Sequence, residues 1–586
     1  MTNRTLRSGT YALGLLGTLS FTAAISGASC SDPAPPNTNP SSSSSGAGGS
    51  GGAGGSGGSG GSTGGSGGSG GGPIMGCPCT DFPKDPVFLD GLTAEVGTAF
   101  NMAMDMPAGP CISEPASDAM VPRNWSPLLV EWVPPIDQNV FQVRMEIDNQ
   151  VNPLVVYTNK PNYTIPSGMW KSVAGHSAGH DIKITIRGAK VDNGVITAGP
   201  FISETAIVHI APIDAPGSIV YWAYEPMTKG TFFRGFTIGD ETPKEVLTPE
   251  KAGTNAGGKV TGCISCHTSS PDGQIMFYSS DDPPATYRSV DARLVKDQTK
   301  PGPGMISDAA YALLGRHRQL APIVSPAHWS ANDAIVISVY AVDPSPFQDL
   351  IWTDLHAVDS NGWGKIPRIN DGRNPTSATW SHDGKDIAYV SSKGGHEGVI
   401  AETVPGDATM DIYVVPYNDG MGGVSLPLPG ASDPVKREFY PIYSPDDVFL
   451  AFNRSDTAPT SYDQATAEVF LMPRAGGEPT RLRANDPPVC TGLKSPGITN
   501  SWSRWAPQAP TFGGLRYYWL VFSSKRRVAA GYRAQLYMAA ITTKFENGKE
   551  VVAAEYPAVY FGPQNANESN HTPVWDNFVV DQIIPK

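Results

Sequence analysis

Five consecutive residues near the middle of the chain carry its clearest chemistry: Cys263, Ile264, Ser265, Cys266 and His267. Two thiols three positions apart can each add across a porphyrin vinyl group. An imidazole directly after the second can reach the iron as proximal ligand. The pattern predicts one covalently held haem c, attached through Cys263 and Cys266 and ligated by His267. In a chain with 7 Cys and 10 His, a chance C-x-x-C-H is expected on the order of one time in a thousand. Two other readings use the same residues: a Cys263–Cys266 disulfide, or a different metal held by Cys263, Cys266 and His267. Candidates for a sixth iron ligand are His328, directly before Trp329, and His317, within an Arg-His-Arg cluster, followed by Met276 or Met305.

The elements that would position these groups follow in chain order. Residues 1–30 have the form of an export signal: Arg4 and Arg7, an apolar run from Tyr11 to Ile25, then small residues before Cys30. The end of this segment resembles a bacterial lipoprotein box, which implies lipidation at Cys30 and a membrane anchor there. Gly27 stands where that family prefers Leu. Ordinary signal cleavage near Ala28 is the alternative. Residues 31–73 are Ser/Pro- and then Gly/Ser-rich. Such a tract buries no core and acts as a flexible tether, spanning roughly 35 Å for about forty residues.

With Cys30 assigned to lipid and Cys263 and Cys266 to haem, four cysteines remain: Cys77, Cys79, Cys111 and Cys490. An even number in an exported chain suits two disulfides of open connectivity. A bridge to Cys490 would pin the Cys-bearing segment 74–118 onto the C-terminal half. A metal site built on Cys77 and Cys79 lacks a nearby histidine in sequence. Gly175-His176-Ser177-Ala178-Gly179 matches the G-x-S-x-G nucleophile elbow, but that motif requires a strand before it and a helix after it. The flanking residues read instead as a loop between strands.

Residues 119–212 alternate apolar and polar positions, as in Leu128–Trp132, Phe141–Ile147 and Ile182–Arg187. Trp132 followed by Pro134-Pro135 and a second alternating strand resembles a fibronectin type III or immunoglobulin-like sandwich. From about residue 213 a unit recurs every 50–70 residues: an aromatic residue, Ser or Ala, a polar turn, and an apolar strand. Its copies begin at Trp329, Trp380, Tyr443 and Trp505, and Ser270-Pro271-Asp272-Gly273 with Ile275–Tyr278 forms another. The repeat resembles that of TolB-like six-bladed propellers. Counting gives six blades in 213–586, with His571–Trp575 as a strand that closes the first. Ser269 takes the place of the usual aromatic in the second blade, which would open space beside His267.

The fold expected is therefore all-β, a β-sandwich followed by a six-bladed β-propeller. Net charge is −13 with no basic stripe, which argues against a nucleic-acid partner. The function expected is an exported, lipid-anchored haem c protein at the outer membrane or cell surface, otherwise periplasmic. It would carry single electrons to an external redox partner. The alternative is a TolB-like surface binding module with Cys263 and Cys266 as a structural disulfide. A propeller peptidase would need an appended hydrolase domain, and no residues remain to build one.

Overall fold

Short serine–aspartate turns set up the repeating strand pairs. The Ser270 hydroxyl donates to Asp272 Oδ1 (2.5 Å) and accepts the Ile275 amide (2.9 Å), and the Gln274 amide donates to Asp272 Oδ1 (3.1 Å). Gly273 takes a φ of +71°, a conformation open to glycine because it has no Cβ. The same circuit returns with Ser381, Asp383 and the Asp386 amide, and with Ser444, Asp446 and the Phe449 amide. Local side-chain chemistry thus fixes the link between first and second strands in three separate places.

This computed structural model describes residues 79–295, 306–341, 347–395, 398–527, 530–531, 533–578 and 580. The expected signal segment, the tether, Cys30, Cys77 and Met305 lie outside the described residues. The fold is all-β. Six antiparallel sheets form a propeller, whose inner strands are Cys263–Ser269, Gln319–Ile323, Asn374–Trp380, Arg437–Tyr443, Ser501–Trp505 and Ser569–Asp576. Each inner strand packs against the next, and the last returns to the first. Closure comes from the C-terminal strand Ser569–Asp576, which pairs antiparallel with Ser218–Glu225 and supplies the first blade with its inner strand. A closed ring leaves no inner sheet edge exposed.

One feature repeats around the whole ring. In each inner strand a non-glycine residue has a left-handed backbone: Cys266 (+38°), Ala321 (+55°), Ser377 (+48°), Tyr440 (+55°), Trp502 (+60°) and Thr572 (+42°). The pairing register breaks at the same level in each blade. A bulge adds one residue to its strand and sharpens the local twist, which suits six strands converging on one axis.

The third blade departs from the sequence expectation. Its inner strand is Gln319–Ile323, and Trp329–Ser330 forms a short hairpin with Asp333–Ala334. Trp329 packs edge-on against Phe277 at 6.0 Å, between the second and third blades. The aromatic-Ser pattern was read from sequence as one position in every blade. Here a proline-containing turn after the inner strand moves the tryptophan outward.

Ahead of the propeller, the strands Cys111–Glu114, Leu129–Val133 and Asn162–Thr164 form one sheet, facing a larger sheet centred on Val140–Ile147 and Asp181–Asp192. Trp132 lies between them, edge-on to Phe141 at 5.4 Å. This core runs on into the propeller through Trp125, Phe561, Trp519 and Trp575. The Cys111–Cys490 disulfide, Arg483–Asp118 at 2.7 Å and Arg527–Glu131 at 2.6 Å span the same junction. Residues 167–176 form a helix where the sequence suggested a loop. Ser177 follows that helix, is buried, and donates to Asn149 Oδ1 at 2.9 Å. The G-x-S-x-G match is therefore not a nucleophile elbow. Among the described residues no helix is long and apolar enough to cross a membrane.

Candidate functional site

The strand Cys263–Ser269 runs along the propeller axis and distributes its donors along it. Cys266 sits on the bulge, where it shares an axial gap of about 40 Å³ with Ala321, Ser377, Tyr440 and Trp502. Toward the turn end of the inner strands the channel widens to about 330 Å³, walled by His267, Ser269, Trp380, Tyr443, Arg504 and Trp575 among others. Ser269 is fully buried, and the open space lies beside it, where an aromatic would otherwise project. Ser269 stands at the end of its inner strand.

His267 is 7% exposed. Its Nε2 lies 3.0 Å from the Val220 carbonyl oxygen, and its ring packs 4.4 Å from that of Phe233. Burial, which disfavours the charged ring, and the nearby Arg504 cation push its pKa down to about 4, against a smaller upward effect of the Val220 bond. At neutral pH the imidazole is uncharged. Nε2–H donates to Val220, so Nδ1 keeps its lone pair, and Nδ1 is buried with no hydrogen-bond partner.

Cys263 points the other way. It is 3% exposed and accepts a contact from Thr231 Oγ1 at 3.8 Å, on the first blade, while Cys266 packs against the third to fifth blades. Cys263 is disulfide-bonded, but not to Cys266. The alternative of a Cys263–Cys266 bridge is thus corrected.

Sequence reasoning missed Arg504. Its guanidinium lines both parts of the channel, donates to the Ser503 carbonyl at 2.8 Å, and makes no ion pair among the described residues. Burial pushes its pKa down to about 10, opposed by Tyr440 and Cys266. Nothing in its local sequence marks it, because its position follows from the sixth blade's register.

Of the candidate sixth ligands, His328, His317 and Met276 do not line this channel. Both nitrogens of His328 are committed, Nδ1 to Asp333 at 2.8 Å and Nε2 to the Gly384 carbonyl at 3.3 Å, and its ring stacks on Trp380 at 4.8 Å. His317 stacks on Tyr287 at 4.6 Å, and its Nδ1 accepts the Arg288 amide at 3.4 Å. Met276 is buried within the blade core, beside Ile264 and Tyr278. A larger cleft of about 630 Å³ follows the Cys111–Cys490 seam; half of its lining is Pro, Ala and Ile, and Glu204, Arg483 and Asp486 are among the rest.

No protein-family model matches the chain, and no curated protein matches it. Among solved structures it is similar to the β-propeller domain of the Trilobed protease from Pyrococcus furiosus, at 12% identity, with a TM-score of 0.25, over 50% of this chain and 99% of that one. A prolyl endopeptidase matches at 12% identity and a TM-score of 0.30, over 59% of this chain, which spans 48% of that enzyme. Hydrazine synthase from Kuenenia stuttgartiensis matches at 13% identity and a TM-score of 0.26, over 51% of this chain and 74% of that one.

Proposed function

We propose that the chain is an exported haem c protein in which the propeller houses one haem and passes single electrons to an external partner. The observation that carries this reading is His267. It directly follows a channel-lining thiol, stays neutral, and has one buried nitrogen with no partner. A neutral imidazole nitrogen and two thiols three residues apart match a c-type haem in kind. When bound, the haem supplies a one-electron iron couple whose potential its ligands and burial set. Val220 orients the imidazole, Phe233 shields it, and Arg504 offers a cation for a propionate. Thioether formation adds each S–H across a C=C bond with no net redox change, so it requires both sulfurs as thiols. The chain that accepts haem therefore has the Cys263 disulfide reduced to thiols, with the two electrons and two protons supplied by an external dithiol that is itself oxidised to a disulfide. Export and a lipid anchor at Cys30 rest on the signal-like segment and the tether.

The Cys263 disulfide favours a second reading, a surface binding module of TolB-like type that uses the 330 Å³ cavity and carries no haem. A haem stain after denaturing electrophoresis, from a host with haem c maturation, separates the two. A stained band at the chain's mass supports the first reading, and an unstained one leaves the binding module.

A further inference from the structure

A second group of potential ligands lies on the N-terminal sandwich, far in sequence from the haem motif. Cys79, Asp81 and His176 bring one donor atom each within 4.8 Å of one another. The sequence alone showed Cys79 without a histidine, because 97 positions separate it from His176. The fold supplies both the histidine and a carboxylate.

Each ligand is held by structure that exists without an ion. Cys79 runs parallel to the turn at Gln150, with its amide donating to Asn149 O (2.8 Å) and its carbonyl accepting the Val151 amide (2.7 Å). Gln150 Nε2 donates to Asp81 Oδ2 at 3.4 Å, and the next residue, Phe82, is buried in the core at 1% exposure. His176 ends the helix Ser167–His176, and its carbonyl accepts from Asn149 Nδ2 at 3.0 Å. Its Nδ1 lies 2.6 Å from Asp81 Oδ2. Two separate chain segments, residues 79–81 and the helix end at His176, thus present sulfur, oxygen and nitrogen to one point, and rigid support of this kind is what a metal site requires.

We propose that Cys79, Asp81 and His176 bind a single zinc ion, with water in the fourth position. Thiolate and imidazole donors disfavour magnesium and calcium, which take oxygen ligands, and suit four-coordinate zinc. The ion takes the place of the hydrogen bond between His176 Nδ1 and Asp81 Oδ2 and binds Cys79 through its sulfur. It adds a metal clamp to the contacts that already hold the start of the described chain on the sandwich. His180, paired with Asp148 at 2.6 Å, is the neighbouring histidine outside the set.

The test is a titration of the full metal-free chain with Zn²⁺ by calorimetry and with Co²⁺ by absorption. One equivalent is expected, with a thiolate-to-cobalt charge-transfer band in the near ultraviolet. Cys79→Ser should lose that band, and His176→Ala should weaken binding by more than about tenfold. His180→Ala should bind as the parent does. Absence of a thiolate band, or an unchanged affinity in His176→Ala, overturns the proposal. Should Cys79→Ser fail to fold by near-ultraviolet circular dichroism, Asp81→Asn replaces it, with binding expected to weaken by more than about tenfold. Haem content does not enter either readout.

Discussion

His267 and Val220 are joined across the first two blades by a 3.0 Å contact from imidazole Nε2 to carbonyl oxygen. This bond decides which ring nitrogen remains available. It also makes the imidazole a titration probe, because a buried ring with a pKa near 4 resists protonation.

The first prediction concerns acid stability of the chain without haem. Between pH of about 6.5 and about 4 the unfolded chain binds a proton at this histidine and the folded chain does not. Stability therefore rises with pH across that window and is lost as pH falls through it. His267 should account for ~2–3 kcal/mol between pH 7.5 and 4.5. Denaturant unfolding at the two pH values should show a smaller pH-linked loss in His267→Asn than in the parent. Equal losses would mean that His267 is protonated in the fold or exposed.

Ring closure offers a second test. Arg234 makes three hydrogen bonds of 2.6–3.1 Å to Glu568, which is 2% exposed and immediately precedes the closing strand. Removing one partner leaves a largely buried charge, which costs roughly 3–5 kcal/mol. Glu568→Gln should raise hydrogen exchange across Ser569–Asp576 more than in the fifth blade. Uniform exchange in all blades would argue that this pair does not secure closure.

The turn of the second blade meets the end of the closing strand at Gly273. A Cβ there would lie 1.8 Å from the Asn577 carbonyl oxygen, and φ is +71°. Gly273→Ala should cost at least ~2 kcal/mol, from backbone strain and displacement of the C-terminal segment together. Gly91→Ala, with φ +79° and open space around it, isolates the strain alone and should cost less. Thermal unfolding of both variants makes the comparison.

The Cys111–Cys490 bridge spans 379 residues of sequence. Its loss should lower unfolding free energy by ~2–5 kcal/mol, chiefly by releasing the unfolded chain. Cys111→Ser measured under oxidising conditions tests this, with Cys490→Ser expected to match. An unchanged stability would place the hold on the shared apolar core at Trp125 and Phe561 and on the Arg483–Asp118 and Arg527–Glu131 pairs.

Much of the propeller was legible because its turns are local. Ser270, Asp272 and Gly273 close a hydrogen-bond circuit within six residues, so their spacing alone marks the strand pair. His571–Trp575 was legible as a closing strand because the first blade otherwise lacked an inner one. The bulge ring was not legible. Cys266, Tyr440 and Trp502 share a backbone conformation without sharing a residue type, since convergence on the axis imposes it. Trp329 misled because an aromatic-Ser pair outside the inner strand looks the same in sequence as one at its end. Arg504 and the pairing of His176 with Asp81 depend on contacts between distant segments, which no local pattern encodes.

The central claim is covalent haem at the strand Cys263–Ser269. Peptide mapping of the full chain, produced with haem c maturation, measures it directly. The account predicts one haem per chain, recovered on the peptide that contains both Cys263 and Cys266, and absent from Cys266→Ser at the second thioether. A haem-free peptide with Cys263 in a disulfide would contradict it.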